Sequence, residues 1–251
     1  MAKKTDYSYV GIALVVLVFG IIFVPRIVDR ISNGDITREE SRSNTVAVKP
    51  KSISNSEPLE YLVANGERKK VPEFEFINQD GRLVSNDDYL GQVYVVEFFF
   101  TSCPTICPKM NYNLVQLQNH FAEESSFGVA SFSISPEADT PEVLKAYAKN
   151  YGITSSNWNL MTGQREAIYN LANMGFNLYA AEDGEVEGGF EHSGNFALID
   201  KEGFIRCRLN EFGSPIIYYN GVVTETEGVD EEGRPQEITM LKEDIRKLLN
   251  E

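Results

Sequence analysis

The chain has 251 residues, 42% of them apolar, enough to bury a core and too many for a disordered or collagen-like polymer. Its 23 basic residues face 37 acidic ones, a net charge of -14, so no nucleic acid partner is expected, because that recognition needs a basic face. Three cysteines and two histidines cannot build two four-ligand zinc sites, and three thiols are too few for a disulfide-stapled miniprotein.

In chain order, the first feature is VGIALVVLVFGIIFV, Val10 to Val24, uncharged and flanked by Lys3 and Lys4 before it and by Pro25 and Arg26 after it. As a helix, residues 7–25 would extend about 28 Å, close to the roughly 30 Å hydrocarbon core of a bilayer. One transmembrane helix is expected there, inside a membrane anchor spanning 1–31. The run has no polar face that would suit a buried globular helix, and no small-residue cleavage site follows it. Lys3 and Lys4 are matched by Arg26 and Arg30, so the positive-inside count barely discriminates; the short tail is placed inside and the large domain outside. With no Arg-rich, Ser-rich leader ahead of the anchor, a bacterial inner membrane is expected, with the soluble domain on the periplasmic side. Residues 32–70 are rich in Ser, Asn and charge, have no sustained apolar period and read as a flexible linker. The globular domain is then 71–251.

Phe74 and Phe76, the turn Asn78 to Gly81, and Leu83 read as a hairpin, since alternating apolar residues flank an Asp-Gly turn. VYVVEFFF, Val93 to Phe100, predicts a central strand covered on both faces. Met110, Leu114, Leu117 and Phe121 space out a helix, and Gly128 to Ser135 the next strand. Thr140 caps a helix that opens on Pro141 and carries Val143, Leu144, Tyr147 and Tyr151. Ile168, Leu171 and Ala172 mark a further helix. Phe196 to Ile199 and Phe204 to Leu209 make a second hairpin about Asp200 to Gly203, and Ile238, Leu241, Ile245 and Leu248 a last helix. This order predicts an α/β domain with a mixed sheet and flanking helices, of thioredoxin-like type. The acidic stretch Thr224 to Gln236 is expected as a solvated loop.

Cys103 and Cys107 sit in TSCPTICPKM, where the buried strand gives way to a helix. With a helix starting near Pro104, both sulfurs fall on one face about a turn apart, close enough to share a metal or to bridge. The helix N-terminus lowers a nearby thiol pKa, which both outcomes require. His192 lies far along the chain in EDGEVEGGFEHSGNFALID, a glycine-rich stretch, and reads equally as a metal ligand or an exposed loop histidine. Two thiolates and one imidazole suit Cu(I) and can retain Cu(II), whereas structural zinc would lack a fourth ligand.

These residues also carry a resemblance. TSCPTICP is similar to the C-x-x-x-C-P of the Sco/SenC family of membrane-anchored copper proteins that assist assembly of cytochrome c oxidase. SPEADTPEVLKAY is similar to that family's D-P-x-x-D-T-P, and WNLMTG and EHSGNFALID match further segments in the same order. The resemblance covers roughly residues 71 to 210. It implies copper bound by Cys103, Cys107 and His192, and a metallochaperone role toward a copper-accepting subunit of a membrane terminal oxidase. It also implies a copper donor or a thiol reductant as a second partner. The rival it leaves is a thiol-disulfide oxidoreductase, with Cys103 and Cys107 as redox pair, that reduces the cysteines of the target copper site. Ser135 departs from the family's Asp. A peroxiredoxin-type peroxidase would need Pro and Thr where Val96 and Phe100 stand.

Other residues carry weaker signals. Glu97 interrupts the apolar strand six residues before Cys103, at the offset of the buried acid in thioredoxins; it reads either as a base or as a glutamate turned to the sheet's margin. Cys207 alternates with Ile205 and Leu209 and is expected to be a buried inert thiol. His120 ends a helix, where a cation suits the dipole.

Overall fold

A computed structural model describes residues 58–182, 189–210 and 212–251, together with Leu17, Phe19 and Phe23. The chain divides into two compact units, Met1–Lys49 and Pro50–Glu251. In the first, Leu17, Phe19 and Phe23 are helical and exposed. The rest of the apolar run, and the linker as far as residue 57, lie outside the described residues. Among the described residues no helix is long and apolar enough to cross a membrane.

Six strands come first in the second unit: β1 (Glu60–Tyr61), β2 (Val63–Ala64), β3 (Glu67–Arg68), β4 (Glu75–Asn78), β5 (Leu83–Ser85) and β6 (Val93–Phe99). Helix α1 (Cys107–His120) then leads to β7 (Phe127–Ser133), α2 (Pro141–Tyr151), β8 (Trp158–Thr162) and the short α3 (Arg165–Asn170). A π-type turn over Leu171–Phe176 precedes β9 (Ala180–Glu182) and β10 (Phe190–His192). The chain closes with β11 (Asn195–Ile199), β12 (Ile205–Leu209), β13 (Pro215–Ile216), β14 (Tyr218–Asn220) and α4 (Ile238–Asn250).

The main sheet runs β1-β12-β11-β6-β7-β8-β4-β5. Its centre, β6, β7 and β8, is parallel and connected through α1 and α2, and the flanking β11 and β4 are antiparallel to it. This is the mixed α/β, thioredoxin-like arrangement that the order of elements predicts. All seven residues of β6 are buried, as a strand covered on both faces requires. One face carries Phe98, packed on Phe132 and Phe176; the other carries Phe99, packed on Tyr147 of α2. Glu97 shares the Phe99 face.

Several expectations are corrected. Helix α1 starts at Cys107 rather than near Pro104. A start at Pro104 would put Pro108 in the second turn, where its missing N–H would have to donate to the Pro104 carbonyl; starting at Cys107 leaves Pro108 in the first turn, where the loss costs nothing. Residues 58–70, polar enough to read as tether, carry β1 on the edge of the main sheet, with Leu59 buried. Glu97 has no exposure, so it does not lie at the sheet's margin. His120 accepts from the Arg246 guanidinium at Nε2, 2.9 Å, and is held below its usual pKa first by partial burial and then by Lys242 and Arg246. The cation at that helix end is therefore arginine, not imidazolium. The acidic loop is mostly exposed but pinned, with Glu227 on Lys109 of α1 at 2.8 Å and Glu225 on Lys242 of α4 at 2.5 Å.

Candidate metal centre

The C-terminal end of β6 delivers Phe100, Thr101 and Ser102 to the cysteine turn. Cys103 N–H donates to Phe100 O at 3.3 Å, which folds the chain back so that Cys103 sits over the first turn of α1. Its sulfur there accepts the Cys107 N–H at 3.5 Å, taking one of the donors that a helix N-terminus leaves free. The structure brings all three expected residues together. The Cys103, Cys107 and His192 ligand atoms lie within 4.8 Å of one another, and all three side chains are buried.

His192 reaches the pair from β10, which pairs with β9 in a ribbon separate from the main sheet. The ring stands edge-on to Phe100, centroids 5.8 Å apart, and Phe190 packs on Phe100 from the same strand. Nδ1 lies 3.2 Å from Ser193 O. A carbonyl only accepts, so the ring proton belongs on Nδ1 and Nε2 turns its lone pair toward Cys107 Sγ, 3.2 Å away. That backbone contact fixes tautomer and orientation before any metal arrives.

The two thiols are unlike. The hydrogen bond with the Cys107 side chain is the largest influence on Cys103 and holds its thiol well below the usual range, opposed by burial; the Cys107 N–H acts in the same direction as that hydrogen bond. Burial comes first for Cys107 and pushes it up, and the adjacent Cys103 sulfur adds to this. The site thus sets a Cys103 sulfur biased toward thiolate beside a Cys107 sulfur biased toward thiol, an unequal pair that can either hold a soft metal or do exchange chemistry.

The sequence reading missed the residues that hold this geometry. Asp139, 1% exposed, accepts from Thr101 N–H at 3.1 Å, Thr101 Oγ1 at 2.5 Å and Ser133 Oγ at 2.5 Å, bracing the turn two residues before Cys103. Its signal was present as the acid preceding the capping Thr140. Asn111 donates to Cys107 O at 2.9 Å and to the Tyr147 hydroxyl at 2.6 Å. Ser135 is buried and opens the turn that presents Asp139, whose N–H donates to Ser135 O at 2.9 Å.

Known proteins resemble this chain in sequence and in fold. A family model described as SCO1/SenC matches residues 63–226. The SCO1 protein homolog of Bacillus subtilis is 36% identical over 136 residues, covering 53% of this chain and 70% of that one. A putative copper-binding protein of Stutzerimonas stutzeri is 27% identical over 144 residues, covering 56% and 69%. Among solved structures, BsSco, described as having a disulfide switch and as a member of the Sco family of cytochrome c oxidase assembly proteins, superposes with a TM-score of 0.57. It is 30% identical and covers 72% of this chain and 94% of that one. The matched span takes in both cysteines, His192 and the parallel core that carries them, and the chain belongs to the SCO1/SenC family.

Proposed function

We propose that the protein is a membrane-anchored copper metallochaperone that takes up copper on Cys103, Cys107 and His192 and passes it to the copper-accepting subunit of a membrane terminal oxidase, cytochrome c oxidase. The observation that carries this reading is the convergence of two sulfurs and an imidazole lone pair within 4.8 Å. Copper is the substrate. Two soft thiolates with one imidazole match its cuprous form, and three donors leave room for an acceptor's ligand to enter during transfer. Uptake displaces the Cys107 proton, so retention rises with pH. Residues 1–31 would serve as anchor in a bacterial inner membrane and the stretch from 32 to 57 as tether, with the domain that opens on β1 working on the periplasmic side; a copper donor or a thiol reductant would load or reset the site.

Copper titration of the reduced full chain tests this. One copper per chain is expected, with His192→Ala weakening retention by about tenfold or more, the usual scale for losing a ligand. Retention indifferent to that change would overturn the reading.

A second reading rests on the unequal thiols. As a reductase, the Cys103 thiolate attacks a partner disulfide and releases one partner thiolate. Cys107 then gives up its proton and attacks the Cys103 sulfur, leaving a Cys103–Cys107 disulfide and a partner dithiol. The oxidised pair has lost two electrons and no longer offers thiolates, so disulfide formation and copper holding exclude each other.

A further inference from the structure

His192 is held away from the main sheet, on a two-strand ribbon that pairs with no other strand among the described residues. Its inner end is fixed by backbone contacts: Asn173 brackets Ala180 through both N–H and carbonyl, at 3.1 and 2.9 Å, and Ser193 N–H donates to Tyr179 O at 2.9 Å. Its outer end is fixed by charge. Glu182, the last residue of β9, is ion-paired with Arg165 at the start of α3. The same guanidinium lies 3.6 Å from Glu137 and 5.6 Å from the Tyr169 ring centroid.

Glu137 belongs to the loop between β7 and α2, two residues before Asp139. That loop therefore grips both halves of the site: Asp139 holds Thr101 and the cysteine turn, and Glu137 reaches through Arg165 to the imidazole ribbon. Register carries the pull. Glu182 sits opposite Phe190, and His192 opposite Ala180, so the ion pair acts about 7 Å along the ribbon from the imidazole's position.

We propose that Arg165 is a positioning residue for His192, latching the imidazole ribbon to the loop that also braces the cysteine turn, so that the latch sets how long copper is retained. This rests on His192 being a copper ligand. The three side chains are partly exposed, at 35% for Arg165, 54% for Glu182 and 63% for Glu137, so the latch is weak and salt-sensitive by construction. A pair of this exposure shifts an equilibrium by about two- to fivefold. A light clasp suits a site that must release its cargo as well as hold it.

The test uses the full chain, reduced and copper-free, with two readouts. One is competition for Cu(I) against a chromogenic chelator, and the other is amide hydrogen exchange at residues 190–193 before copper is added. R165E places a third carboxylate between Glu137 and Glu182; it is expected to weaken retention by about tenfold and to speed exchange of the ribbon amides. E182R, which opposes two guanidiniums, should act the same way, and R165E with E182R should recover to within about threefold of the parent. R165K should retain most of the effect, and added salt should weaken the parent toward R165Q while leaving R165Q unchanged. Retention and exchange unchanged in R165E, or summed losses in the double variant, would overturn the latch. His192→Ala separates the two claims. If that variant holds copper normally the ligand reading fails, while exchange in the copper-free protein still scores the latch.

Discussion

Glu97 keeps one carboxylate oxygen on the Ser131 hydroxyl, 2.6 Å, and its other oxygen has no hydrogen-bond partner among the described residues, at a position with no exposure. Trp158 Nε1 donates to the same hydroxyl at 2.9 Å, so Ser131 is committed on both sides. Burial pushes the Glu97 carboxyl from its ordinary value of 4.5 up to about 7, opposed by the Ser131 hydrogen bond. The sign follows from linkage. Below pH 4.5 both folded and unfolded chains hold the proton; between 4.5 and about 7 only the folded chain does, so stability falls as pH rises through that window and levels off above it. Glu97→Gln keeps an acceptor for Ser131 and removes the ionisation. It is expected to raise stability by about 3 kcal/mol at pH 8, the equivalent of the pKa displacement, with little change at pH 4. Urea unfolding of parent and variant at the two pH values measures this, and equal differences at both would refute it. Asp139, in the loop after β7, offers a contrast, since three donors reach its carboxyl oxygens while one oxygen of Glu97 has none among the described residues.

At the level of elements, the rim of the site is set by a close approach. Gly194, two residues past His192, lies under the loop after β14, and a Cβ added there would stand 2.2 Å from Val222 Cγ2 and 3.5 Å from Ile106 Cδ1. That loop cannot simply lift, because Asn113 of α1 holds Gly221 O at 2.9 Å and Val223 O at 3.2 Å. Gly194→Ala is expected to cost about 1–3 kcal/mol and to loosen copper retention with it, and Gly194→Ala with Val222→Ala to recover most of both, because the second change empties the space the first one fills. Thermal unfolding with chelator competition checks the pair; a double variant no better than the single one would show that the strain lies elsewhere. The sequence announced some of these elements and hid others for identifiable reasons. The hairpin about Gly81, the all-apolar β6 and the Thr140-Pro141 helix start were legible because period and capping act locally. Trp158–Thr162 carried no strand signal, because the polar Asn159 and Thr162 interrupt its apolar run although all five residues are buried. The sulfurs and the imidazole were legible as chemistry, while Asp139 showed only as the acid before Thr140 and Arg165 not at all, because bracing depends on contacts that spacing does not encode.

Across the whole molecule, Arg206 joins the strand by which the chain enters the domain to the end of the last helix. It lies on β12 at 3% exposure. Its guanidinium donates to Asp200 at 3.0 Å, to Glu251 at 2.8 and 3.2 Å and to Leu59 O at 2.7 Å, and it stands 4.1 Å from the Tyr61 ring centroid. Asp200, nearly buried, also caps the turn between β11 and β12 by accepting from Glu202 N–H and Phe204 N–H. These contacts explain why β1 is ordered despite its polar sequence: its backbone carbonyls terminate a buried cation that already needs partners. Removing the cation leaves Asp200 and the Leu59 carbonyl buried without it, so Arg206→Met should cost about 3 kcal/mol, the low end for breaking a buried pair because Glu251 is 42% exposed. For a domain of this size that is a fall in Tm of about 6–12 °C. Copper per chain should stay at the parent value, since β11 separates β12 from the strand that leads to the cysteines. A loss of copper in proportion to the loss of stability would mean instead that the sheet edge and the metal centre move as one unit, and that the ribbon carrying His192 is not where the site's compliance resides.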